Sequence, residues 1–329
     1  MKSKKEYKLV RFGDVVRSVR ETENNPLDRG LEICVGIDNI EPENLHITDW
    51  GLVKDGTSFT RVFRKGQVLF VRRRAYQRKV ALAEFEGICS GDIIVMEAIA
   101  DKLIPELLPF VVQSENFYRY AINTSAGSLS PRTKWKHLAK FQFQLPPIEE
   151  QRRIAKILWT IDNVTESYKS LLNDFLLFRT KEIDRLFDSE QGSSVKLKNL
   201  IISKPEYGIN AAGTDIKESA PRYIRITDID DDGRLSDEEI VGVDSESYED
   251  YILQDGDLLF ARTGTVGKTY LYEKEDGFCV FAGYLIRFKL DKSKVLPKFL
   301  FYYTKSSIYK KWVLSTMRVG VQPNINATE

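Results

Sequence analysis

Cysteine is scarce in this chain: Cys34, Cys89 and Cys279 are all there are among 329 residues. The number is odd, the spacings are long, and each lies in an apolar, strand-like run. They read as reduced core thiols of a cytoplasmic protein, which excludes a disulfide framework. Histidine is scarcer still. His46 and His137 have no cysteine or histidine at ligand spacing, which argues against a metal site or a histidine-based catalytic centre. No apolar run reaches membrane-spanning length. The basic start, Met1-Lys-Ser-Lys-Lys-Glu6, leads into no apolar signal segment. Net charge is +1, from 49 Lys+Arg against 48 Asp+Glu, so only local clusters can speak for or against nucleic acid. Nucleophile-elbow, Asn-Pro-Pro-aromatic methyltransferase and helicase motifs are all missing. Gly264-Thr-Val-Gly-Lys-Thr269 approaches a phosphate loop, but Arg262 stands where the first glycine belongs, in a strand–turn–strand context.

What the chain has instead is one long helical pattern. Pro146 and Pro147 stop the strand-like run Phe141–Leu145, and Pro147 suits a first helical turn. Glu149 and Glu150 then favour the positive end of the helix dipole. Apolar residues follow on a heptad: Ile154, Ile161, Tyr168 and Phe175 at one position, Ile157, Val164, Leu171 and Phe178 at the other. From Pro147 to Asp188 this predicts a rod of roughly 60 Å, too long for an ordinary core helix. Its seam needs a partner: eight side chains left bare would forgo on the order of 10 kcal/mol of burial or more.

On either side lie strand-rich segments broken by Gly, Asp and Asn, and the two are related. Lys65-Gly-Gln-Val-Leu-Phe70 aligns with Asp255-Gly-Asp-Leu-Leu-Phe260, and Gly87-Ile-Cys89 with Gly277-Phe-Cys279. Gly91 nearly meets Gly283, and Asn39-Ile40 answers Asp228-Ile229. Leu108-Pro109 answers Leu296-Pro297, and Ser130-Pro131-Arg132 answers Gln322-Pro323-Asn324. Matching order with little drift predicts a duplicated domain. The expected organisation is a first β-rich domain over 1–146, a spacer helix over 147–188, a polar linker over 189–194 and a second β-rich domain over 195–329. The fold class is α+β. The second copy is expected to be incomplete, with no counterpart of the helix.

Local charge concentrates in matched loops. Arg72, Arg73, Arg74, Arg78 and Lys79, with Gln77, follow a strand and should form a hairpin tip. Guanidinium groups suit phosphate or guanine, and glutamine suits adenine. The matched loop in the second copy offers Arg262, Thr263, Thr265 and Lys268. A second pair of loops offers Ser125, Ser128, Arg132 and Lys134 in the first copy, and Arg318, Gln322 and Asn324 in the second. Read simply as charge, such a run is a solvated face; matched in two copies and flanked by strands, it points to DNA. Asp228–Glu239 fits the calcium-loop spacing, but Tyr223–Ile226 and Ile240–Val243 read as strands. An acidic, solvated hairpin is therefore expected there.

The phrase Leu145-Pro-Pro-Ile-Glu-Glu-Gln-Arg-Arg-Ile-Ala-Lys-Ile-Leu158 between two β-rich repeats resembles the first conserved region of specificity subunits of type I restriction–modification systems. Gly256–Gly264 and Gln322–Glu329 resemble phrases of their target-recognition domains. The resemblance covers nearly the whole chain. It implies a non-catalytic DNA reader, each domain taking half of a split site, with helices that set the spacing and dock methyltransferase subunits. Restriction subunits would be further partners, and S-adenosylmethionine, ATP and magnesium would belong to partner subunits only. The absent second helix implies a fragment, an inactive form, or completion by another chain, a second copy or a completing fragment. The rival reading is a scaffold or interaction module, binding protein or calcium at 228–239.

Overall fold

The computed structural model describes residues 7–187, 194–216, 220–243, 245, 247–316 and 324–326. It divides into two units, 1–168 and 169–329, with the boundary inside a single helix.

In chain order the first unit contains β1 (Lys8–Arg11), α1 (Phe12–Val15), β2 (Val16–Val19), β3 (Ile33–Val35), β4 (Gly51–Leu52), β5 (Arg61–Phe63), β6 (Val68–Val71), β7 (Val80–Leu82), β8 (Gly87–Cys89), β9 (Ile93–Ala98), α2 (Leu108–Gln113), α3 (Glu115–Asn123), α4 (Trp135–Leu138) and β10 (Gln142–Leu145). The helix α5 follows (Ile148–Phe187). Two four-stranded sheets, ordered β2-β9-β6-β7 and β4-β3-β8-β5, accompany a β1–β10 ribbon. All four residues of β6 are buried because it has a core on each face. Val68 and Phe70 pack with Phe12, Met96 and Phe117, whereas Leu69 and Val71 pack with Phe63, Ile93 and Val95. A strand covered on both faces reads as a continuous apolar run instead of an alternating one.

The second unit holds β11 (Glu206–Tyr207), β12 (Gly213–Asp215), β13 (Arg222–Ile224), β14 (Val241–Val243), β15 (Leu258–Ala261), β16 (Thr269–Leu271), β17 (Cys279–Phe281), β18 (Leu285–Phe288), α6 (Pro297–Tyr303) and α7 (Ser307–Thr316). Its central sheet, β11-β18-β15-β16, repeats the antiparallel pairings of β2-β9-β6-β7. The parallel pair β3–β8 recurs as β13–β17. The turn before the central strand is also duplicated. Gly66 and Gly256 both take positive φ, 86° and 88°, which glycine adopts without steric cost. The next side chain then accepts a backbone N–H three residues upstream, Gln67 from Arg64 and Asp257 from Gln254. The duplication read from the sequence is thus a duplication of strand order and turn chemistry.

One expectation is corrected here. The segments flanking Asp228–Glu239 are strands only in part and do not pair with each other: β13 pairs with β17 and β14 with β12. The strand expected to reach Ile226 stops at Ile224, because the Asp228 carboxylate accepts the Arg225 N–H (2.8 Å) and starts a 3₁₀ turn.

The two ends of α5 are anchored within their own units. In the first, Gln151 is buried and bonded to Ile104, Lys102 and Pro146, and the Trp159 indole donates to the Glu106 carbonyl (2.8 Å). His46 lies between two carboxylates, Asp162 at 2.8 Å and Glu84 at 3.1 Å. Burial by itself would lower its pKa, but the two carboxylates outweigh burial and raise it. The stability contributed by the imidazolium is therefore fully present below about pH 6.5 and is lost as pH rises through the raised folded value. His46→Ala should lower the unfolding free energy read from urea melts by about 1–2 kcal/mol at pH 6, and by less at pH 9. In the second unit, Asp184 accepts from the Ser307 N–H and hydroxyl (2.7 and 2.6 Å), and Phe187 packs edge-on to Phe299 and Tyr303.

Candidate nucleic-acid interface

The β6–β7 hairpin carries the first arginine cluster. Its tip, Ala75–Gln77, is one 3₁₀ turn bounded by Arg74 and Arg78, both left-handed at φ 53° and 56°. Left-handed backbone is uncommon for arginine and costs on the order of 1–3 kcal/mol, a strain that tends to collect at working sites. The loop after α3 packs against this hairpin. The Arg74 N–H donates to the Pro131 carbonyl (2.8 Å), the Thr133 N–H to the Arg72 carbonyl (3.0 Å), and the Arg73 guanidinium reaches Ser130 Oγ (3.2 Å). Two sets of residues some 60 positions apart in sequence thus form one face.

The second unit repeats the construction. The Arg262 N–H donates to the Tyr284 carbonyl as the Arg72 N–H donates to that of Asp92. The Ile325 N–H donates to the Arg262 carbonyl as that of Thr133 does to Arg72. Thr263 bridges to Asn324 as Arg73 bridges to Arg132. On this shared frame the side chains differ. The Arg262 guanidinium stacks over the Tyr207 ring at 4.8 Å, Thr265 and Asn324 are exposed, and Tyr284 stands 62% exposed. Arg318 and Gln322 lie outside the described residues.

Not every candidate keeps donors in hand. Arg132 grips Asp92 through two nitrogens (2.8 and 3.0 Å), and Arg72 lies 3.7 Å from the same carboxylate. Arg78 pairs with Glu43 and Glu115 and covers the Tyr118 ring. Lys79 and Lys268 act as struts, their ammonium groups donating to the Ile37 and Ile229 carbonyls (2.9 Å each). Ser125 donates to the Ala121 carbonyl. Among the described residues, no carboxylate lies within ion-pair distance of Arg73, Arg74 or Lys134, and Gln77 and Ser128 complete the open set. Arg61 and Arg64, from the same basic run, sit apart on β5 and its following turn; Arg64 pairs with Glu21 and Glu86.

Sequence reading missed Asp92, Tyr284, Tyr207 and two exposed apolar side chains, Tyr76 and Leu129. Asp92 and Tyr284 each follow a glycine already noted as nearly matched, Gly91 and Gly283, so the signal was one residue away. The Arg132 guanidinium hydrogen-bonded to Asp92 holds its carboxyl below the usual range, against a burial effect that raises it. A depressed pKa contributes stability that is present above about pH 3.9 and lost as pH falls through the folded value. Asp92→Asn should therefore cost about 1–3 kcal/mol at pH 7, as seen in urea melts, and less near pH 3.

The acidic stretch is occupied by cations of the chain itself: Asp228 by Arg225 (2.6 Å), Asp231 by Lys268 (3.2 Å), Asp232 by Arg179 and Asp237 by Arg222 (3.1 Å). No cluster of three or more His, Cys, Asp or Glu suited to a metal occurs among the described residues.

Two copies of one frame, each presenting a different set of polar and aromatic side chains, define a duplicated recognition protein. The chain belongs to the type I restriction modification DNA specificity domain family, whose model matches residues 5–174 and 178–329. It is 26% identical over 169 residues to the specificity subunit of the Escherichia coli type I restriction enzyme EcoDI. That match covers 51% of this chain and 37% of the relative, so just over a third of the relative's length is spanned. Its fold is shared with a chain from a structure of type I R-M complex assembly and conformational transition, at 18% identity and TM-score 0.55, covering 98% of this chain and 83% of that one. It is also shared with the S subunit of a type I restriction–modification system from M. genitalium, at 12% identity and TM-score 0.55, covering 99% and 85%.

Proposed function

We propose that this chain is the non-catalytic, DNA-reading subunit of a type I restriction–modification complex, each unit reading one half of a bipartite site. The observation that carries the reading is the duplicated face. A hairpin arginine, Arg72 or Arg262, accepts at its carbonyl from the loop that follows the helices, and the side chains on that common frame differ between units. One frame with two side-chain sets is what two different half-sites require. In this reading α5 sets the distance between half-sites and carries the docking seam for methyltransferase subunits or a second copy. Restriction subunits join the same complex. S-adenosylmethionine, ATP and magnesium act in those partners.

Selection from a random-sequence duplex library tests the proposal. The chain, with its methyltransferase partner where assembly requires it, should enrich two defined short elements separated by an unspecified gap. Its affinity for the enriched duplex should fall steeply with salt. Failure to enrich any sequence, with binding insensitive to salt, would favour a protein-interaction scaffold instead.

A further inference from the structure

Leu129 is 90% exposed, the most exposed of the large apolar side chains among the described residues. It stands in a short loop closed by two backbone bonds, the Ala126 N–H to the Arg132 carbonyl (3.1 Å) and the Arg132 N–H to the Ala126 carbonyl (3.0 Å). Gly127, at φ +115°, makes the turn that such a loop needs. The next residue, Ser130, is held by Arg73, and Pro131 by the Arg74 N–H (2.8 Å). A leucine thus stands at the tip of a closed loop, next to the serine on which the Arg73 guanidinium rests, where it contributes nothing to either core. The matched phrase in the second copy also has an apolar residue two positions before its proline, Val321 before Pro323.

An apolar tip beside a guanidinium that no carboxylate holds complements a polyanion with an apolar interior, which is what duplex DNA presents: phosphates outside, stacked bases and thymine methyls within the grooves. Building on the DNA-reading proposal above, we infer that Leu129 enters a groove of the bound duplex and makes apolar contact with base atoms, while Arg73 beside it holds a phosphate.

The test uses the full chain and a fluorescein-labelled duplex recovered from the random-sequence library. Leu129→Ala and Leu129→Ser should leave the urea midpoint unchanged, since the side chain is exposed, and weaken binding roughly ten- to hundredfold. The dependence of log affinity on log salt should keep its wild-type slope, because no phosphate contact is lost. Equal affinity of variants and wild type would overturn the inference, as would a loss accompanied by a shallower slope. A duplex with uracil for thymine separates the two possible contacts. A matching loss of affinity identifies thymine methyls. Unchanged affinity, with a bend between labelled duplex ends that relaxes in Leu129→Ala, identifies insertion between base pairs; neither result would overturn the inference. If no duplex is enriched by the wild-type chain, it is the DNA-reading proposal that fails, and the role of Leu129 with it.

Discussion

Replacing Arg73 and Arg74 together by alanine is expected to weaken binding to every duplex, enriched or not, and to reduce the salt slope by about two. The expectation rests on what these two side chains lack. Arg132, Arg78 and Lys79 are satisfied within the protein, by Asp92, by Glu43 and Glu115, and by the Ile37 carbonyl. Among the described residues the Arg73 guanidinium is hydrogen-bonded only to the Ser130 hydroxyl, and the Nε of Arg74 is enclosed without an acceptor. Each such guanidinium can neutralise one phosphate, and each phosphate neutralised on B-DNA contributes about 0.9 to the slope. Arg78→Ala makes the control. It should lose stability through its broken ion pairs and leave the slope nearly as it was. A double variant with an unchanged slope would place this hairpin away from the DNA backbone.

The second large effect concerns α5. Ile157, Ile161, Val164, Tyr168, Leu171, Phe175 and Phe178 are between 51% and 72% exposed, whereas Ile154 is partly buried against the first unit. Fully burying a side chain of this size is worth about 1.5–3 kcal/mol. Seven on one stripe are therefore a strong drive to associate. Ile161→Glu with Leu171→Glu would set two charges into any interface formed there. The pair should weaken co-purification of a methyltransferase subunit, or self-association, on the order of a thousandfold or more. Circular dichroism should show the helix retained, because both positions face solvent. If the wild-type chain sediments as a 37.9 kDa monomer in the presence of that subunit, and the variant behaves identically, the seam is no docking surface.

Much of this architecture was legible in the sequence, for identifiable reasons. A heptad without glycine or proline leaves helix as the only economical reading, and α5 runs unbroken for 40 residues. Repeated turns such as Lys65-Gly66 and Asp255-Gly256 mark the same strand start twice. The parallel pairs β3–β8 and β13–β17 were not legible, because pairing partners 54 and 57 residues apart leave no local signature. For the same reason the sequence shows a run of arginines but not their carboxylates. Asp92, Glu43 and Glu115 lie 40, 35 and 37 positions from Arg132, Arg78 and Arg78 and reach them only through the fold. Tyr284 was hidden differently, since it replaces Asp92 on the common frame and shares no chemistry with it.

The central claim is that two differently equipped copies of one frame read two halves of a DNA site. Genome-wide mapping of methylated adenines tests it most directly, in cells carrying the partner subunits and either this chain or its Thr263→Ala, Asn324→Ala variant. The wild type should produce a motif in two parts with an unspecified spacer, and the variant should alter one part while leaving the other and the spacer intact. A motif indifferent to the presence of this chain, or one whose two parts change together in the variant, would contradict the account.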